Sequence, residues 1–118
     1  MTRILVILAG LMGAAGVALG AAATHLAGGL QAASSMLLFH APAVLAVALL
    51  LDRGLVHGKT GHLAAFGFVV GATLFAGDLS MRQFAGHRLF PFAAPIGGTL
   101  LMVSWLVLAL SAAWRRRM

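Results

Sequence analysis

Residues 62–81 read HLAAFGFVVGATLFAGDLSM, a twenty-residue stretch that is apolar almost throughout. Its only ionisable groups are His62 and Asp78. As a helix rising 1.5 Å per residue it covers about 30 Å, the hydrocarbon thickness of a bilayer. A charge at membrane depth is costly, so the stretch also raises a question about Asp78, one of two acidic residues in the chain.

Three further apolar runs flank it, at 4–23, 34–51 and 95–114. They are separated by LAGGLQ, DRGLVHGKTG and RQFAGHRLFPFAAP, segments punctuated by glycine, proline and charge. Composition points the same way: 62% of the 118 residues are hydrophobic and 8% charged, with a mean hydropathy of +1.05. A soluble domain of this size buries only about 60–70% of its unfolded surface, so the remainder would aggregate. The expected fold class is all-α, an integral membrane four-helix bundle forming a single transmembrane domain over residues 1–118. MTR, an apolar core and GAAA also fit the three regions of a cleavable signal peptide, a rival reading of the first run.

Charge sets direction. With both termini on one side, that side carries Arg3, Arg53, Lys59, Arg115, Arg116 and Arg117, against Arg82 and Arg88 on the other. Positive residues mark cytoplasmic loops, so both termini are expected inside, in a bacterial inner (cytoplasmic) membrane. Trp114, Arg115, Arg116 and Arg117 read as interface anchors, with lipid-headgroup binding as a second use of the tail. The net charge of +6 forms no basic face with interleaved aromatics, which argues against nucleic acid.

Helices in lipid meet through small residues. Gly13, Gly16 and Gly20 make one ridge, Gly67 and Gly71 a second, and Gly97 with Gly98 a third site of close approach. Leu74 and Asp78 continue the Gly67 and Gly71 face, so Asp78 is expected to point at a neighbouring helix. If these ridges join separate chains, bulky residues at Gly67 and Gly71 abolish association, while Asp78→Asn is mild.

On these boundaries His25 lies at the outer surface, His40 about 9 Å and Asp78 about 5 Å below it. Together with Arg82, four residues after Asp78, they form a candidate polar cluster. Its plainest use is structural, with Asp78 paired to Arg82 and His40 bonded to helix backbone. A proton or small-solute relay is the alternative. Haem ligation would need the two imidazoles at matched depth.

No metal, cofactor or catalytic site is expected. HGKTGH offers two imidazoles where a metal wants three or four ligands. Its GKT lacks the first glycine of a phosphate-binding loop, there is no GxSxG, and the chain has no cysteine.

GAAATHL, FHAPAVLAVAL, GATLFAGDLS, and APIGG followed by SWLVLAL occur in this order across nearly the whole chain. Together they resemble the small four-helix membrane proteins grouped as domain of unknown function 423, which include transmembrane protein 256 of animals. Gly20 and His25 match that family's Gly-Ala-x-Gly-Ala-His stretch, His40 its Tyr-x-x-His-Ala stretch, and Gly77 its Ser-Gly-Ser-Leu stretch. Pro95, Gly97, Gly98 and Trp105 match its last helix. Ala23, Thr24, Phe39 and Asp78 depart from the pattern. The resemblance implies fold and membrane location, and no activity. The expected function is an accessory or organising subunit that packs with other membrane chains or itself. Proton or small-solute transport and binding of a lipid or hydrophobic cofactor are the alternatives.

Overall fold

At membrane depth the backbone has no partner but itself, and all four runs are helical in the computed structural model, which describes residues 2–26 and 28–115. The helices are α1 (Thr2–Ala23), α2 (Leu30–Asp52), α3 (Gly58–Ala85) and α4 (Ala93–Arg115), each long and apolar enough to cross a membrane. No strand occurs among the described residues.

The outer two helices follow their expected spans closely, but α2 and α3 begin a turn early and α3 also ends a turn late. Local capping explains α3. His57 precedes the helix and its Nδ1 accepts from the Thr60 N–H at 3.5 Å, so GKTG becomes a first turn. At the other end Gly86, with φ of 78°, closes the helix in the left-handed region that glycine adopts without strain.

The helices pack in chain order. α1 lies on α2, α2 on α3 and α3 on α4; α1 touches α3 at only a few positions and does not meet α4. The bundle is therefore open on one side. α2 and α3 bury 39% of their most apolar windows and α1 and α4 only 22%, which makes the first pair central. The shared core includes Leu5, Met12, Leu37, Val44, Phe68 and Leu101.

Small residues set both tight seams. Between α1 and α2, a Cβ at Gly16 would lie 2.8 Å from Leu38 Cγ. The Ser34 hydroxyl there donates to the Gly16 carbonyl at 2.7 Å. Between α3 and α4, Gly67 faces Ser104 and Gly71 faces Gly97. Two expected packing positions do not serve: Gly98 has nothing within 4 Å of a built Cβ, and Gly13 only Ala41 at 3.9 Å. Successive helical residues are rotated by about 100°, so with Gly97 turned to α3 its neighbour Gly98 cannot be. The Gly67 and Gly71 face is also occupied within the chain by α4. Bulky residues there therefore test the fold, not association between chains.

Candidate functional site

The two buried ionisable residues of the expected cluster, Asp78 and His40, lie in separate places. The first centres on Asp78, which is 0% exposed. Its Oδ2 accepts from Arg82 Nη2 at 2.6 Å and from the Ala94 N–H at 3.2 Å, and its Oδ1 accepts from the Leu89 N–H at 2.9 Å. All three partners are donors, which suits an acceptor-only carboxylate.

This arrangement supplies a helix start that α4 lacks. A first turn leaves up to four N–H groups without helical partners, and a Ser, Thr, Asp or Asn at the start normally takes one. Between Met81 and Gly98 there is none. Ala93 N–H turns to the Phe90 carbonyl, Pro95 has no N–H, and Ile96 N–H reaches the Phe92 carbonyl. Ala94 is left over, and Asp78 accepts from it across the α3–α4 seam. A carboxylate at a helix N-terminus is also favoured by the helix dipole. The pairing of Asp78 with Arg82 was legible as an i, i+4 spacing; the uncapped start of α4 was the further signal.

The second place is His40, 6% exposed on α2. Its Nδ1–H donates to the Met36 carbonyl at 2.7 Å, and its Nε2 accepts from Trp105 Nε1–H at 3.2 Å. These partners assign the neutral Nδ1–H tautomer. The ring lies 5.6 Å from Phe68 and 5.9 Å from Trp105, centre to centre, and those two rings are 4.6 Å apart. The backbones of α2 and α4 stay apart, so this hydrogen bond is a side-chain brace between them. The backbone half was expected and the Trp105 half was not.

His40 and Asp78 do not come together, and the helix ends are not the reason: α2 starts four residues early and α3 ends four residues late, so both residues lie about 6 Å deeper than expected. His40 instead sits level with Phe68, which precedes Asp78 by about 15 Å along α3. His25 is exposed in the turn after α1. Among the loop histidines, His57 donates its N–H to the Ser111 carbonyl at 2.9 Å and meets Trp114 edge-on at 6.0 Å. Arg115 ends α4, while Arg116 and Arg117 lie outside the described residues. Among the described residues no group of three or more His, Cys, Asp or Glu could hold a metal.

Trp105→Phe keeps the ring packing and removes the donor to His40. It should cost about 0.6 kcal/mol and at most about 1.7, the mean and maximum for interhelical hydrogen bonds in a membrane protein, read as a lower unfolding midpoint in one detergent. An unchanged midpoint would remove the brace from this description.

A family model described as "Protein of unknown function (DUF423)" matches residues 10–98. A "UPF0382 membrane protein" of Haemophilus influenzae is similar, at 38% identity over 72 residues, covering 61% of this chain. The match spans 56% of that relative, a little over half its length. No solved structure matches.

Proposed function

The chain belongs to the DUF423 family, and from that premise we propose that it is a non-catalytic subunit of a bacterial inner membrane, with both termini cytoplasmic. It packs laterally against other membrane chains or its own copies and serves as an accessory or organising component. The observation that carries this reading is the open bundle: α1 and α4 do not meet, and each leaves most of its apolar surface outside the fold.

The polar interior supports a scaffold over a relay. Every hydrogen-bonding atom of Asp78 and His40 engages a group of the chain's own backbone or side chains. A proton path needs groups free to exchange partners. One of the two acids serves as a cap, which leaves little for acid–base catalysis.

Extraction of the tagged protein from its own membrane into lipid-preserving particles, followed by native mass measurement, tests the reading. A fixed stoichiometry with another chain, or among copies, is the expected result. A lone chain carrying only lipid would overturn it.

A further inference from the structure

Beyond any lateral partner, we propose that the groove between α1 and α3 holds one acyl chain of a bilayer phospholipid, from the leaflet bordering the α1–α2 and α3–α4 connections. The groove exists because α1 and α3 both pack on α2 yet barely touch each other. Its volume is about 320 Å³, and Leu37 of α2 and Met12 of α1 are among its lining residues. Ala15, Ala76 and Gly77 keep its walls recessed.

Its dimensions select the occupant. The lining runs from Leu8 to Leu19 on α1 and from Val69 to Ser80 on α3. Each wall is about 16 Å long at 1.5 Å per residue. One leaflet contributes about 15 Å of hydrocarbon, half of a 30 Å core. Val69 lies near the middle of α3, while Leu19 and Ser80 both stop about one turn short of their helix ends. On α1 the lining starts at Leu8, a little over one turn past the helix midpoint towards the N-terminus, so the groove starts about a turn from mid-bilayer and ends below the headgroup region on one side. A helix with its side chains is about 10–12 Å across, too broad for a slot of this volume.

Chemistry agrees with depth. The lining is apolar except for the hydroxyls of Thr73 and Ser80. Thr99 and Ser104 donate theirs to carbonyls four residues back. Neither the Thr73 nor the Ser80 hydroxyl has such a bond among the described residues; of the two, Ser80 sits at the headgroup end, where a lipid ester oxygen can accept from it. An unbonded hydroxyl in hydrocarbon is unfavourable.

The test uses the full chain in nanodiscs of phosphatidylcholine carrying a diazirine on one acyl chain, irradiated and mapped by peptide mass. Labelling of the groove walls should exceed that of Leu106 and Leu110 on α4, which are 67% and 54% exposed, by severalfold. Ala15→Phe, or Ala15→Leu if the larger residue prevents folding, should bring the groove down to the α4 level. Ser80→Ala should lower it by a smaller factor. Even labelling of all exposed faces, indicating boundary lipid alone, would overturn the proposal. So would groove walls labelled less than those two α4 positions, the result of a protein segment seated in the slot.

Discussion

Asp78→Ala is expected to release the start of α4 and to be the most damaging polar substitution in the chain. The carboxylate is the acceptor for Ala94 N–H, which sits in a residue only 7% exposed. A buried N–H left without a partner costs about 1–3 kcal/mol. Leu89 is 40% exposed and its N–H can turn to water or headgroups, while the Arg82 side chain, 39% exposed, can reach the interface. The damage should therefore concentrate at Ala94 and along the α3–α4 seam. Asp78→Asn should also be severe: rotated one way its amide nitrogen faces the Leu89 N–H, and rotated the other it faces both Arg82 and the Ala94 N–H. The mild effect expected from sequence assumed a pair near the interface, and surface pairs contribute little. Burial and capping reverse that expectation. Unfolding midpoints in one detergent, with proteolysis of the 86–92 connection, measure both variants. A wild-type midpoint for Asp78→Ala would contradict the assignment.

Gly97→Ala should be nearly as harmful for a different reason. The added Cβ would lie 2.6 Å from the Gly71 carbonyl oxygen and 2.8 Å from Phe75 N. Both are backbone atoms of α3, so the contact is relieved only by moving one helix from the other. Overpacking of this kind costs about 1–3 kcal/mol, at times more. Gly98→Ala is the matched control, because nothing lies within 4 Å of its Cβ. Alanine is also the better helix former by about 1 kcal/mol, so this neighbour should be neutral or slightly stabilising. The same unfolding measurement on the pair should separate them, and equal midpoints would mean that α3 and α4 do not meet closely at Gly71 and Gly97.

Much of this was open to reading in the sequence. Apolar runs of bilayer length admit only helices, so four spans followed from hydropathy alone. Their ends were less legible, because GKTG and RQFA look like connection yet are drawn into α3 by His57 before it and Gly86 after it. That shift and the matching one at Leu30 set Asp78 and His40 deeper by equal amounts; what separates them is the packing of His40 on Phe68, a tertiary contact. The face of Asp78 was readable from the Gly67 and Gly71 register. Its bonds to Leu89 and Ala94 were not, since they depend on how the 86–92 connection folds back. Trp105 and His40 lie 65 positions apart on helices whose backbones do not touch, and no local periodicity links them.

The buried carboxylate of Asp78 holds the start of α4 from α3. Amide hydrogen exchange of the full chain in lipid nanodiscs tests it most directly. Ala94, in a first helical turn where amides commonly exchange freely, should be strongly protected in the wild-type protein. In Asp78→Ala that protection should fall while amides in the middle of α1 and α2 keep theirs. Exchange at Ala94 as fast in the wild type as at His87 and Arg88 would mean that Asp78 does not cap α4.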